Sequence, residues 1–346
     1  MHLQGNVIQV HIREFIDKMF FSIIIPVYNA EDFISLALNS ILSQDFSDYE
    51  IVCVNDASVD ASLNILEKYS MMHANVKIVN LVKNSGAIFA RDQGLEIAKG
   101  DYIIFLDADD ELSLGALSQI YYSIKSNLEV DAVCLNMKSE NEDAYQLWKG
   151  DFVYKGYDAF IMMLEFKFPR IVAVRKSICL QVRLEDVTLE AGEGNFFDEY
   201  LWLKQLLVCR NVVVAKDCYY YYRSHSSQAT NPKNIRFYDK LKRSRLVNEL
   251  VKKICDSSVL LSYRRFMIFE LSWHFVIFSQ TVYLEVERKR INSLLKDSFL
   301  YLKEENTFQL LFSKNLKNKI LAIFFVLDWN LFKFFSKVKY YRKQLL

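Results

Sequence analysis

The chain has 346 residues, 52% hydrophobic and 25% charged, with nine Gly and three Pro; this composition excludes long disordered tracts and suits one large or two modest domains. The formal net charge of +1 conceals a split, because residues 1–230 carry 20 Lys and Arg against 32 Asp and Glu, whereas residues 231–346 carry 23 against 10. An acidic front half repels phosphate unless a cation intervenes, and a basic back half suits an anionic surface.

In chain order, residues 1–19 read as an N-terminal extension, with translation from Met19 as the alternative. From Phe21 short apolar runs alternate with amphipathic segments, the pattern of a βα succession. Strands are expected at Phe21–Val27, Tyr49–Val54, Val76–Leu81 and Tyr102–Leu106, with crossover helices at Glu31–Leu42, Ala61–Tyr69 and Ala87–Ala98. A helix over Leu112–Lys125, a strand over Asp131–Met137, a helix over Asp198–Val208 and a strand over Asn211–Ala215 follow. Beyond about residue 232 the pattern is helical and rich in Phe, Leu, Lys and Arg. The implied architecture is an α/β, mostly parallel sheet with helices on both faces, followed by a helical C-terminal region.

In such sheets ligands bind beyond the carboxyl ends of the strands. There the first strand ends in "PVYN", the second in "NDASVD" and the fourth in "LDADD". Any one of these carboxylates could be a turn residue or helix cap, and Asp60 reads as a cap. Asp107, Asp109 and Asp110 gathered near Asp56 would repel one another, however, and a divalent cation resolves that conflict. Carboxylates in a D-x-D turn suit Mg²⁺ or Mn²⁺, whose remaining ligands are phosphate oxygens and water, so a diphosphate is the expected partner. A dinucleotide fold lacks its G-x-G-x-x-G here, a P-loop lacks its G-x-x-x-x-G-K-[ST], and an aspartyl phosphatase places its motif after the first strand rather than the fourth.

Together, "SIIIPVYNAEDFISLALNSILSQ", "EIVCVNDASVDAS" and "NSGAIFARDQGLEIAKGDYIIFLDADD" resemble the family 2 glycosyltransferases, inverting enzymes of the GT-A fold, over roughly residues 20–223. The resemblance implies a glycosyltransferase domain over residues 20–230, its nucleotide-sugar half at 20–110 and its acceptor half at 111–230, and a helical region over 231–346. It implies that Pro26, Val27 and Tyr28 line the base pocket, that Asp56 holds the uracil edge, that Asp107 faces the ribose and that Asp109 ligates Mn²⁺ or Mg²⁺. Asn84, Gly86 and Arg91 match a segment near the nucleotide, although Arg91 read alone could equally pair with a neighbouring Asp on a helix surface. Ala57 stands where Gly is usual, and Asp92 where Asn is common.

The family's base belongs to a Glu-Asp pair that stands before a helix, about a dozen residues ahead of a strand. "FFDEYLWLKQLLVCRNVVV" has the helix and the strand, which points to Asp198 with Phe197 in place of Glu; Glu199, and Asp186 in "LEDV", are the alternatives. "YYYYRSHSSQAT" resembles the Y-R-x-H segment, placing Arg223 beside the nucleotide and His225 near the metal or diphosphate. Read alone, His225 is an exposed loop histidine. The implied reaction moves a hexose or N-acetylhexosamine from UDP to a hydroxyl of a surface polysaccharide or lipid-linked glycan; a decayed transferase serving as a scaffold is the alternative.

Six scattered cysteines without C-x-x-C spacing suit a reduced, cytoplasmic chain. His11, Arg13, Glu14, Asp17 and Lys18 interrupt any signal-peptide core, and no apolar run reaches the roughly 18 residues of a spanning helix. Residues 313–346 hold eight Lys and Arg and one acidic residue among clustered Ile, Phe, Leu and Trp. That pattern suits a helix lying in an anionic membrane interface, or else a packed helix with a basic outer face. No nucleic-acid recognition module is visible.

Overall fold

The computed structural model describes residues 19–127, 129–139, 152–165, 168–183, 197–225, 228, 231 and 233–305. The N-terminal extension, Asp186 and the basic tail lie outside them. Two compact units are present: residues up to 183 with Leu201–Ser224 form the first, and residues 197–200 with those from His225 onward form the second.

The first unit is built on a sheet with β1 (Phe21–Val27), β2 (Tyr49–Asn55), β3 (Val76–Asn80), β4 (Tyr102–Phe105), β5 (Glu111–Leu112), β6 (Val130–Ser139), β7 (Phe152–Lys155), β8 (Arg170–Arg175) and β9 (Asn211–Tyr222). Their order is β3-β2-β1-β4-β8-β6-β9-β5, with β7 also on β9. Strands β1 to β4 pair in parallel, β8 runs antiparallel to β4 and β6, and β9 lies parallel to β6. The first four strands match the alternation read from the sequence to within a residue. Helices α1 (Ile34–Leu42), α2 (Ser62–Met72) and α3 (Ala87–Ile97) connect them, followed by α4 (Ala116–Ser126), α5 (Gly156–Leu164), α6 (Lys176–Gln181) and α7 (Phe197–Val208).

Both faces of the sheet are covered, as buried parallel strands require. Ile23, Ile25 and Val27 share one core with Ala37, Leu38 and Ile41 of α1 and Leu117 and Ile120 of α4. On the opposite face α3 lies so close to β1 that a Cβ on Gly94 would sit 2.5 Å from Ile24 Cγ2. Helical periodicity alone did not reveal that close approach.

Among the boundaries that differ from expectation, two have clear local reasons. The helix expected from Leu112 starts at Ala116, because Leu112 pairs with Tyr220 of β9 and Gly115 takes a left-handed φ of +76°. The strand expected to stop at Ala215 continues to Tyr222. Pairing with β6 jumps from Val214 to Tyr219 while β6 advances from Cys134 to Asn136, so residues 215–218 form a bulge, with Asp217 at φ +55°. This bulge resets the register and aims the tyrosine run.

The second unit contains a 3₁₀ turn (Ile235–Asp239) and helices α8 (Lys240–Ile254), α9 (Ser257–Gln280) and α10 (Glu285–Glu304), in keeping with the helical reading of this part of the chain. Leu241, Val247 and Val251 of α8, Met267, Leu271 and Phe275 of α9, and Ile291, Leu295 and Phe299 of α10 are buried. Asp256 caps α9 by accepting the N–H groups of Ser258 and Val259. Among the described residues no helix is long and apolar enough to cross a membrane.

Candidate functional site

The loops leaving β1 and β2 are laced together. Val27 is wholly buried, so what it offers the strand end is its carbonyl, which accepts the Asp56 N–H at 2.8 Å; Tyr28 beside it is 41% exposed. Asn29 donates its N–H to Ser58 Oγ at 3.1 Å and accepts the Val59 N–H at 2.9 Å. Ala30 N–H reaches Ser62 Oγ at 2.8 Å, and Ala61 N–H reaches Glu31 Oε2 at 2.8 Å. Asp60 does accept the Ser62 N–H at the start of α2, and it also takes the Glu31 N–H at 3.1 Å. Partial burial works to raise its pKa, but these hydrogen bonds outweigh it and hold the carboxyl below its ordinary value.

Ala57, where the family usually has Gly, sits at φ +55°. The turn therefore keeps the left-handed conformation that glycine favours, at a strain of about 1 kcal/mol or more.

Asp56 is 2% exposed, and its two oxygens accept the N–H groups of Ser85 at 2.7 Å and Gly86 at 2.8 Å. Gly86 adopts φ +91° with ψ 158°, a conformation closed to other residues. Asp56 thus pins the Asn84–Gly86 segment at the entrance to α3, and each of its oxygens keeps a further lone pair.

Arg91 is not a surface helix residue. It is buried beneath the sheet edge, and its Nη2 lies 2.5 Å from Asp107 Oδ1 across from α3. Arg170, at the start of β8, grips the other oxygen of Asp107 at 2.9 Å. Partial burial would raise the Asp107 pKa, but the two guanidinium groups outweigh it and hold the carboxyl well below the usual range.

Asp110 has the opposite fate. It is 1% exposed, accepts the Tyr220 hydroxyl at 2.8 Å and the Arg223 N–H at 3.0 Å, and is pushed up to about 8 by burial and by the charges of Asp107 and Asp109. Tyr220 also takes the Asp107 N–H at 3.3 Å, so one phenol ties both ends of the turn. Arg223 is fastened to this turn by its backbone, and its guanidinium pairs with Glu111.

The repulsion expected among these carboxylates is therefore offset within the chain, by two arginines, a tyrosine and backbone N–H groups. Among the described residues no three His, Cys, Asp or Glu side chains converge as a metal cage. The donor set that fits a cation is smaller: the half-exposed Asp109 in the tight turn after β4, with diphosphate oxygens and water to complete the shell. Mg²⁺ and Mn²⁺ accept that arrangement.

Sequence reasoning gave Asp110 no role beyond the shared carboxylate cluster and missed Tyr220, Arg170 and Trp202. Tyr220 carried a signal in the alternation of "YYYY" along β9, where it is fully buried while Tyr221 is 39% exposed. Arg170 carried none, because its partners come from the turn after β4, from β9 and from α7.

Asp198 and His225 belong to the second unit. Asp198 lies in the first turn of α7, preceded by Phe197, which is 2% exposed and fills core space. The Glu199 carboxylate pairs with Arg243, whose other Nη bonds Glu270 at 2.9 Å. Glu199 is thereby engaged in a structural ion pair. His225 is half-buried, with its N–H 3.3 Å from Gln228 Oε1.

Neighbouring parallel strands that deliver a polar loop, an anchored aspartate and a D-x-D turn to one edge, joined to an antiparallel extension, define a domain of the GT-A class. Residues 22–180 match the profile of Glycosyl transferase family 2. Among curated relatives it is 46% identical over 109 residues to a poly(ribitol-phosphate) beta-glucosyltransferase of Bacillus spizizenii, covering 31% of this chain and 17% of that one. It is 36% identical over 126 residues to the poly(ribitol-phosphate) beta-N-acetylglucosaminyltransferase TarS of Staphylococcus aureus, covering 36% and 22%. The chain thus spans less than a quarter of the length of either relative. The crystal structure of S. aureus TarS 1–349 in complex with UDP-GlcNAc superposes with a TM-score of 0.64 at 22% identity, covering 94% of this chain and 92% of that one, a likeness of fold.

Proposed function

We propose that this chain is an inverting glycosyltransferase that moves a hexose or N-acetylhexosamine from UDP to a hydroxyl of a surface polysaccharide or lipid-linked glycan. The observation that carries the reading is the edge formed by β1, β2 and β4, where Tyr28, the Asp56-anchored Asn84–Gly86 segment and the Asp107–Asp110 turn meet. The poly(ribitol-phosphate) acceptors named for two relatives support a polyhydroxylated surface polymer as the acceptor class.

On this reading Pro26, Val27, Tyr28 and Asp56 receive the base, Asn84, Gly86, Arg91 and Arg223 border the nucleotide, and Asp107 faces the ribose. Asp109, joined by His225, would hold Mn²⁺ or Mg²⁺, which supplies charge stabilisation to the departing diphosphate when bound. Asp198 takes the proton of the acceptor hydroxyl as the hydroxyl oxygen attacks the anomeric carbon, and inversion follows from that single in-line displacement. Asp198 works here through its placement against the acceptor hydroxyl. Residues 20–230 form the transferase domain and residues 231–346 a helical region whose basic tail meets anionic lipid at the cytoplasmic face of the plasma membrane.

Thermal unfolding with UDP tests the donor site: a rise in Tm with UDP and Mn²⁺ or Mg²⁺, and little with UDP in chelator, is expected. Asp109→Asn should abolish transfer and weaken the metal-dependent rise. Equal protection in chelator would remove the metal from the site, and full activity of Asp109→Asn would move it elsewhere. Metal-dependent UDP binding without turnover on any sugar nucleotide would favour a scaffold.

A further inference from the structure

Arg170 has no place in the family-derived site, yet it is buried and held close to the D-x-D turn. Its side chain is 8% exposed at the first residue of β8. Its guanidinium donates to Asp107 Oδ2 at 2.9 Å, lies 4.2 Å from the ring centroid of Tyr220 and 4.9 Å from that of Trp202. A planar cation packed over two aromatic rings is restricted in orientation, and here it is aimed at Asp107. Asp107 is held from the other side by Arg91, and Tyr220, one of the two rings against Arg170, carries the hydroxyl that bonds Asp110.

We infer that Arg170 is a positioning residue of the donor site: clamped by Trp202 and Tyr220, it fixes Asp107 in the geometry that receives the nucleotide sugar. The inference rests on the donor-site reading above. Arg170 itself stays covered and acts through Asp107, which is 29% exposed. A consequence is that Trp202, on α7, bears on donor binding without needing to touch the donor.

The test uses the full chain, with UDP plus Mn²⁺ titrated by calorimetry and steady-state transfer measured at saturating acceptor. Arg170→Met keeps length and removes the charged fork; a rise of about 10- to 100-fold in UDP Kd and donor KM is expected, with a smaller fall in kcat. Arg170→Lys should recover a part of this loss, because an ammonium can pair with Asp107 but cannot lie flat between the rings. Trp202→Leu retains both charges, removes one wall, and should raise donor KM several-fold. If Arg170→Met proves unfolded, the lysine and leucine variants carry the same comparison.

Wild-type Kd and KM in the folded variants, even with a lowered Tm, would overturn the inference and leave the donor site standing. If the wild-type chain binds neither UDP nor any other nucleoside diphosphate, the donor-site reading fails and takes this inference with it.

Discussion

Replacing Tyr220 with Phe removes a single oxygen from the most enclosed part of the D-x-D turn. The ring, fully buried on β9, stays in place beneath Arg170. What is lost is the donor to Asp110 Oδ2 at 2.8 Å and the acceptor of the Asp107 N–H at 3.3 Å. Neither loss is easily made good by water, since Tyr220 is 0% and Asp110 1% exposed. A hydrogen bond removed from a buried carboxyl group costs about 1–3 kcal/mol and the longer backbone contact less, so the expected destabilisation is about 2–4 kcal/mol. Urea titration at pH 7 in chelator measures it, with an unchanged slope showing that the unfolding transition is the same. Tyr221→Phe, one residue along and on the exposed side, serves as the control and should stay within about 0.5 kcal/mol of wild type. A Tyr220→Phe loss no larger than the control's would refute the claim that this phenol ties the turn together.

Further expectations concern three other positions. Ala57→Gly relieves a left-handed alanine at φ +55° but loosens the unfolded chain, so stability should hold or rise by up to about 1 kcal/mol; a fall in urea midpoint would contradict the strain. Asp198→Asn should lose ~10² to 10⁴ in transfer rate, roughly 3–5 kcal/mol, with UDP-sugar affinity little changed. Wild-type rates there, with loss in Asp186→Asn, would move the base to "LEDV". Glu50 is wholly buried on β2, where it accepts from Ser22 Oγ, the Lys77 ammonium and the Lys99 N–H. Burial works to raise its pKa, but these partners hold it below the ordinary 4.5, so its contribution is present above that pH and lost as pH falls through the folded value. Glu50→Gln should therefore cost about 1–3 kcal/mol at neutral pH and flatten the acid limb of the stability curve; parallel limbs would count against the network.

The sequence by itself determined the alternation of β1 to β4 with their helices, because strands buried on both faces must be apolar throughout and their crossovers amphipathic. It also determined which polar residues fall at the strand ends, since those follow the apolar runs directly in the chain. Gly86 was legible as a motif position, and its φ of +91° gives the physical reason. What only the tertiary structure decided is who meets whom at the turn. Asp107 and Asp110 are three residues apart in the same motif. One is held ionised by Arg91 and Arg170, and the other is buried against Tyr220 and the Arg223 N–H with its pKa raised. Those partners come from α3, β8 and β9, 16, 63 and 113 residues away in the chain for the Arg91, Arg170 and Tyr220 contacts with Asp107. No local pattern encodes such separations. The bulge at residues 215–218, which turns Tyr220 inward, depends on pairing with β6 and is set by the register of the whole sheet.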